Sequence, residues 1–432
     1  MPDIEKTVAR LNAWEKSDRL EAARELKAAI DRGDIPASPR LGECDNHIHS
    51  QFSFSPYSPT MIAWKAYRAG LDTCGIVDHE SVGGCLEFRE ACALFGIAPT
   101  LGFELRLNWD GTPLEGRKFN NPDQLSVGYF PVHGVPVSSL DAVEAFLAPI
   151  RAARERRNRR MTRKIDAVLA PHGMGLDFEA DVVPVSRWRQ AGSITERHLL
   201  YATALKLIDH CGRGERLLAF LSGDLKIPVP EKAKAFLREE DSPIYAFDLT
   251  NVLKGYFSEL MYVPADHDEA PDVARAIPLL NGLGCIPTYT YLGDVRVSSV
   301  TGDKKTQKFE DDILDEMFEC LYAYGMRAFS YAPTRNDPDQ VARVRALCRR
   351  YGMLEVCGED INQPRQSFIC RQNSEADRRF FNDSTWAIIG HERLADEDLS
   401  RSIISPQTQA RWPDLNARIA AYGQAGREAW PV

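Results

Sequence analysis

Short apolar runs alternate with amphipathic stretches along most of the chain. The first run, LGECDNHIH at 41–49, ends in polar residues and predicts a strand. Apolar residues at helical spacing then predict a helix over 58–70, with Ser58 or Thr60 near its start and Gly70 at its end. The pattern continues with strands at 72–78, 98–106 and 125–130 and a helix at 84–96. Strands separated by helices of this length indicate βαβ units and a largely parallel sheet.

The middle of the chain, 131–270, has a different pattern. Long helical periods cover 142–170 and 193–212, and Ser193 and Glu196 have capping-box spacing at the start of the second. We interpret this segment as a helical insertion in an α/β core. Alternation then resumes with strands at 284–295, 326–333 and 353–360 and helices at 311–325 and 339–352.

The two ends of the chain lack this alternation. Residues 1–40 form a polar, charge-alternating stretch that predicts a helical N-terminal extension, ended by Pro36 and Pro39. Residues 371–432 are mixed and predict a C-terminal extension packed on the core, with a terminal helix at 406–424. The core itself is placed at 41–370.

The composition and net charge of the chain argue against several classes of function. The 432 residues are 44% hydrophobic, and 53 Lys and Arg against 62 Asp and Glu give a formal net charge of −9. This charge disfavours general binding to nucleic acid or acidic membranes, because the long-range field repels polyanions. No apolar run approaches the roughly 18 residues of a membrane span, and the N-terminus lacks an apolar signal core.

The ten cysteines include no C-x-x-C pair, and several lie in apolar runs. Buried free thiols in a reducing compartment explain them better than disulfides or a thiolate zinc site, so we expect a cytoplasmic protein.

Candidate chemistry accumulates where the predicted strands end. His47 and His49 lie two apart, so both imidazoles share one face of an extended chain. The following strands end with His79 and Glu104, and the seventh ends with Asp360. Parallel sheets and barrels place their sites at the carboxyl ends of strands. Imidazoles and carboxylates gathered there predict a site for zinc, manganese or iron.

These segments also carry a family resemblance. The motifs D-N-H-I-H-S, G-I-V-D-H-E-S-V-G-G and G-I-A-P-T-L-G-F-E resemble those of the polymerase and histidinol phosphatase (PHP) superfamily: D-L-H-x-H-S, T-D-H-D and G-x-E. The match is dense over 45–130. A weaker match continues at GCIPTYTYLG and CGEDIN. The resemblance implies an α/β fold, a distorted seven-stranded (β/α) barrel, with 131–270 as a variable insertion.

The resemblance also implies a function: hydrolysis of a phosphate ester by a metal-activated water. It implies that Asp45 and Asp78 orient imidazoles, with Asp78 close enough to count among the metal residues, and that Glu104 bridges two ions. The implied metal residues are His47, His49, Asp78, His79, Glu104, His198 and Asp360. The implied catalytic set is His47, His49, His79, Glu104 and Asp360.

The chain departs from the family pattern at three places. Tyr291 and Asn362 stand where the family has histidines, and the fourth strand begins with Asp123, Gln124 and Leu125 instead of a histidine. We therefore expect one metal position to be weakened or lost, or completed by Tyr291 and Asn362. Occupancy of one to three ions is open, and two is the expectation.

Basic side chains are the candidate phosphate ligands. We select Arg106, Arg197 and above all Arg365, which follows the Asp360 strand, because guanidinium groups pair bidentately with phosphate. Tyr291 and Asn362 are added as candidate substrate contacts. The run at 151–164 holds eight basic residues, and we favour a solvated helix face over a phosphate stripe.

The sequence thus predicts a metal-dependent phosphoesterase, a phosphatase or phosphodiesterase, acting on a small phosphorylated metabolite. A hydrolase of a non-phosphate substrate, or a metal- or ligand-binding protein with a degenerate site, are the alternatives. Nucleic-acid and membrane partners are not expected, and the oligomeric state is undetermined. Structural roles are expected for the histidines outside the pattern: His133, His172, His210, His267 and His391.

Overall fold

The computed structural model describes residues 3–121, 123–294 and 310–430. One seven-stranded sheet, in the order β1 to β7, forms its centre. The backbone of Ile361, after the last strand, bonds to the backbone of His47 and His49 at the end of the first, so the barrel is nearly closed. The expected seven-stranded α/β barrel is confirmed. The strands are β1 Glu43–Ile48, β2 Leu71–His79, β3 Ala98–Asn108, β4 Val127–His133, β5 Ile286–Tyr291, β6 Ala328–Tyr331 and β7 Leu354–Cys357.

The expectation of parallel strands holds for every pairing except those of β4, which runs antiparallel to both β3 and β5. The described residues of the segment 109–126, which connects β3 to β4, contain no helix. Without a crossover helix the chain returns beside the strand it has just left, which gives an antiparallel pair. The predicted end of β5 at 295 lies outside the described residues.

Local sequence explains the helices around the barrel. Ser58 accepts a hydrogen bond from the backbone of Met61 at the start of α3, and Gly70 ends that helix with a φ of 81°. Both positions were predicted, because a short hydroxyl satisfies free N–H groups and glycine adopts the left-handed conformation without strain. The helices up to the insertion are α1 Ile4–Arg10, α2 Lys16–Asp31, α3 Pro59–Ala69 and α4 Cys85–Phe95.

The insertion is mainly helical and has an apolar core separate from that of the barrel. Its α6 begins one residue after Thr195, which forms a capping box with His198. The predicted box of Ser193 and Glu196 is therefore wrong, because the backbone enters the helix two residues later. The helices here are α5 Leu140–Leu169, α6 Glu196–Cys211, α7 Glu215–Gly223, α8 Glu231–Arg238 and α9 Tyr245–Met261.

The C-terminal extension packs on the barrel, but not as one terminal helix. The predicted helix at 406–424 is wrong, because Pro413 breaks it and Asp414 caps a new helix. The long α13 was not predicted at all. The remaining helices are α10 Val273–Gly282, α11 Leu314–Ala323, α12 Pro338–Tyr351, α13 Glu375–Glu397, α14 Pro406–Arg411 and α15 Leu415–Ala429.

Two further expectations concern the whole chain. All ten cysteines are free thiols, and nine of them are buried. Across the described ranges, no helix combines the length and the apolar character that a membrane crossing requires.

Candidate metal centre

Three predicted residues meet at the carboxyl ends of β1 and β3. His47 and His49 stand at the end of β1, and Glu104 lies on β3, one strand beyond β2. Their ligand atoms all lie within 4.8 Å of one another, and all three residues are buried. Nε2 of His47 is 3.4 Å from Oε1 of Glu104, and Nε2 of His49 is 4.0 Å from Oε2. The structure thus brings together three of the residues that the strand-end pattern singled out.

His79 and Asp360 extend this cluster on its open side. Nδ1 of His79 lies 2.9 Å from Oε2 of Glu104, and Oδ1 of Asp360 lies 3.2 Å from Nε2 of His49. Asp360 has a φ of 52°, a left-handed conformation that is strained for a residue other than glycine. Such strain persists where the surrounding structure enforces it, most often at functional sites.

Unpaired buried nitrogens show that the cluster fits a cation. Both ring nitrogens of His47 and Nε2 of His49 are buried without a hydrogen-bond partner among the described residues. Burying such groups unpaired destabilises a fold by about 1–3 kcal/mol each. A borderline divalent metal ion would accept one lone pair from each imidazole and pair with the Glu104 carboxylate. The donors present therefore fit the predicted metal.

The pKa shifts of the cluster residues favour the protonation states in which they can bind a metal ion. Burial opposes ionisation of Glu104, but His47 and His79 hold its pKa below the usual range, so the carboxylate is charged at neutral pH. Burial lowers the pKa of His47, which keeps a neutral ring with a free lone pair. Burial likewise opposes ionisation of Asp360, but His49 and His47 lower its pKa.

Two aspartates support the cluster differently from the sequence prediction. Asp78 was expected among the metal residues, but its carboxylate accepts from Ser50 and from Ser53, at 2.6–2.7 Å. Ser53 in turn contacts Nδ1 of His49 at 3.4 Å, so Asp78 reaches that imidazole only through a hydroxyl. Asp45 accepts from the backbone N–H of His47 rather than from an imidazole.

The two residues that replace family histidines, Asn362 and Tyr291, make different contacts. Nδ2 of Asn362 donates to Oδ1 of Asp360 at 2.8 Å, so Asn362 orients a cluster residue. The hydroxyl of Tyr291 donates to Asp311 in a short hydrogen bond. In this arrangement the hydrogen of Tyr291 is therefore directed to a carboxylate of the chain itself.

His198 lies in the core at the start of α6. Its Nδ1 accepts the N–H of Thr195 at 2.9 Å, and its ring packs edge-on against Phe54. Burial lowers its pKa to about 3, so the ring is neutral. A neutral ring whose Nδ1 accepts carries its proton on Nε2, which makes that atom a donor rather than a metal ligand.

Of the three candidate phosphate arginines, two are already paired. Arg106 is buried against Glu269. Arg365 forms a two-point ion pair with Asp248, both contacts being 3.0 Å, and lies over the ring of Phe236. Arg197 lines a cavity of about 120 Å³ beside His79. It is the one of the three that faces this cavity without a hydrogen bond or ion pair to any described residue.

The basic run of α5 is a solvated face only in part: Arg156, Arg160, Arg163 and Lys164 are exposed, as predicted, but three of its arginines are buried. The side chains of Arg154 and Arg157 are 1% and 3% exposed. Arg154 pairs with Glu80 and Glu196, and Arg157 pairs with Glu196 and Glu269. This Arg–Glu network joins the insertion to the end of β2. Helical periodicity could not reveal it, because the acidic partners lie far away in sequence.

The sequence analysis also missed two residues of the cavity. Tyr129 of β4 lies beside His79, with ring centres 5.8 Å apart, and Lys254 of α9 lines the cavity opposite. Neither occurs in a motif. Tyr129 follows the position where the family histidine is missing, which was the only signal pointing to it.

The histidines outside the pattern have structural surroundings, with one exception. His391 bonds the backbone of Gly134 and Ile403. His133 differs, because its buried Nε2 has no partner among the described residues. The others contact an aromatic ring or carboxylates: His172, His210 and His267.

Replacing Gly358 by alanine should disturb the cluster through His47. A Cβ there would lie 2.3 Å from Cβ of His47 and 2.7 Å from its backbone nitrogen. Since neither atom can move independently, His47 must shift, at about 1–3 kcal/mol. We expect weaker zinc or manganese binding in a metal titration. Gly255→Ala on α9 is the control, because its Cβ would meet open space; equal metal affinity in both variants would refute the prediction.

A comparison with known families identifies part of the chain. The PHP domain profile matches residues 45–178. That range contains most of β1, all of β2 to β4 and α5, and with them His47, His49, His79 and Glu104. The predicted resemblance to this family is confirmed over those residues.

Individual relatives match over shorter stretches. A 5′-3′ exoribonuclease of Haemophilus influenzae is 34% identical over 67 residues, 16% of this chain and 24% of the relative. An error-prone DNA polymerase of Nocardia farcinica is 30% identical over 97 residues, 22% of this chain and 8% of the polymerase. The matched stretches thus span a quarter or less of these relatives.

A solved structure shares the fold over most of the chain. A protein of Bifidobacterium adolescentis that has been assigned to the metal-dependent phosphoesterases superposes with a TM-score of 0.50. The identity is 18%, and the match covers 79% of this chain and 95% of the other. At this identity the likeness establishes the architecture.

Proposed function

We propose that this chain is a metal-dependent phosphoesterase of the PHP type that hydrolyses a small phosphorylated molecule in the cytoplasm. The observation that carries the proposal is the buried cluster of His47, His49 and Glu104, in which three of the four imidazole nitrogens lack a hydrogen-bond partner among the described residues. His79 and Asp360 complete the set that would hold zinc, manganese or iron, with two ions as the working number. The matching family and fold support the same class of enzyme.

The metal supplies positive charge that neutralises phosphoryl oxygens and lowers the pKa of a bound water toward neutrality. The chain contributes position and charge around it. Glu104 remains ionised between His47 and His79, and Asn362 fixes the carboxylate of Asp360. Arg197 faces the adjacent cavity and would hold the non-bridging oxygens of the substrate.

The size of the cavity supports a small anionic group. At about 120 Å³ it is well below the roughly 300–1,000 Å³ of sites that enclose a drug-sized ligand. A terminal phosphate fits such a space, with the remainder of the substrate outside it. An oligoribonucleotide is the second candidate, favoured by the exoribonuclease match, and the net charge of −9 argues against it.

Metal removal and restoration test the proposal. Protein prepared without chelator should contain zinc, manganese or iron and hydrolyse a phosphate monoester. Dialysis against EDTA should abolish the activity, and added manganese should restore it, because the cluster's own residues cannot neutralise the phosphoryl oxygens. Emission spectrometry of bound metal and release of inorganic phosphate are the measurements.

Three other results would each decide against the proposal. Preferred cleavage of a non-phosphate ester or amide would support the alternative hydrolase, and bound metal without turnover on any substrate would support a binding protein. Faster degradation of a 5′-phosphorylated oligoribonucleotide than of any monoester would favour the second candidate.

A further inference from the structure

Helix α9 of the insertion is fastened to the loop that carries Asp360. Asp248 holds Arg365 through two contacts of 3.0 Å, and Asn251 donates to Gln363 at 3.2 Å. Asp248 and Asn251 lie three residues apart, and Lys254 follows after three more, so each is the surface neighbour of the next along the helix. Because Arg365 is paired with Asp248, it is not available to bind a phosphate. The ion pair instead holds α9, and with it Lys254, beside the metal cluster.

Lys254 and Arg197 bring two positive charges to one small cavity. Both line the cavity beside His79, and neither forms a hydrogen bond or ion pair within the part of the chain that the structure describes. The two positive charges repel each other, and the charge of Arg197 lowers the pKa of Lys254 to about 8. Each also interacts with the charge of Asp360. Like charges held together in this way are stabilised by an anion between them.

The other charges of the cavity do not provide that anion. The buried arginines of the Arg–Glu network are paired with Glu196 and Glu269. Asp123 also lines the cavity and attracts Lys254, but burial raises the pKa of Asp123, which disfavours its charged form. The side of the cavity formed by Arg197 and Lys254 therefore keeps an excess of positive charge next to the metal residues.

We infer that Lys254, with Arg197, forms a phosphate-binding wall that the helical insertion adds to the metal pocket. The inference rests on the proposed function and names the group of the insertion that recognises the substrate. It makes Lys254 a specificity residue: an ester without a negative charge on the transferred group gains nothing from this wall.

Binding of inorganic phosphate tests the wall separately from catalysis. Isothermal titration of the manganese-loaded protein should give a dissociation constant about tenfold higher for Lys254→Gln than for the unaltered chain. Lys254→Arg should restore most of the affinity, since it keeps the charge. Lys232→Gln, an exposed position on α8 outside the cavity, should bind phosphate as the unaltered chain does. The difference should shrink at high salt.

The outcomes separate the inference from the proposed function. If no phosphate ester is hydrolysed but Lys254→Gln still weakens phosphate binding, the wall stands and the function fails. If esters are hydrolysed while Lys254→Gln changes neither phosphate affinity nor KM, the wall is refuted and the function stands. If Lys254→Gln loses kcat with an unchanged KM, Lys254 does not act through binding and the inference is also refuted.

Discussion

Glu104→Gln is expected to remove most of the bound metal and to lower hydrolytic activity by about three orders of magnitude. Glu104 is the carboxylate shared by the three imidazoles, at 2.9 Å from His79, 3.4 Å from His47 and 4.0 Å from His49. Glutamine has the same shape but no charge. Its amide therefore cannot replace the negative charge that would hold a metal ion beside the imidazoles. Metal content after dialysis and the rate of phosphate release are the measurements.

A matched control separates the loss of charge from damage to the fold. Glu392 on α13 accepts the backbone N–H of Leu101, and burial raises its pKa well above the usual range. Its charged form is therefore disfavoured, and Glu392→Gln, which keeps the acceptor oxygen and lies outside the cluster, should leave metal content and activity unchanged. Full metal stoichiometry in Glu104→Gln, with cooperative unfolding retained in both variants, would show that Glu104 is not a metal ligand.

The strand-end pattern predicted His47, His49, His79, Glu104 and Asp360, and the structure brings these residues together. This part was predictable because a strand fixes which residues share a face, and a nearly closed barrel fixes where strand ends meet. The motif order added the family. The strand-end pattern and the family motifs both depend on the spacing of residues that are close together in the sequence, so both can be identified from the sequence.

The errors concern groups whose partners are distant in sequence. Arg365 seemed a free phosphate ligand until Asp248, more than a hundred residues earlier, was found beside it. Tyr291 could not be assigned without knowing that Asp311 accepts its hydroxyl. Charge pairing of this kind has no periodicity, so composition and spacing leave it undetermined.

The errors in secondary structure have local causes. A single proline divided the predicted terminal helix, and the apolar stripe of α13 was hidden by the many charged residues between its apolar positions. The direction of β4 also could not be predicted, since alternation of side chains is the same in parallel and antiparallel strands.

The largest loss of stability is expected from Arg154→Met, at about 3–5 kcal/mol at pH 8. Arg154 is the partner of Glu80, whose side chain is fully buried, and it also holds Glu196. Methionine fills much of the space but leaves buried carboxylates short of a counter-charge. Glu80→Gln should be milder, because Arg154 keeps its ion pair with Glu196.

The pH dependence of this loss has a definite sign. In the unaltered chain burial opposes ionisation of Glu80 and Glu196, but Arg154 keeps the pKa of both below the usual range. The two ion pairs therefore stabilise the fold fully above about pH 4.3, and this stabilisation is lost as the pH falls through the lowered pKa values. Without Arg154, burial raises the pKa of Glu80. Acid then neutralises the unpaired charge, so the penalty of Arg154→Met should be smaller at pH 5.5 than at pH 8.

Urea unfolding at the two pH values measures this difference, with Arg156→Met as the control. Arg156 lies two residues further along α5, is 60% exposed and pairs with an exposed aspartate. Its replacement should change the free energy of unfolding by no more than about 0.5 kcal/mol at either pH. If Arg154→Met were equally harmless, or its penalty grew with acid, Glu80 would not depend on Arg154. The insertion would then be held to the metal strand by apolar packing instead.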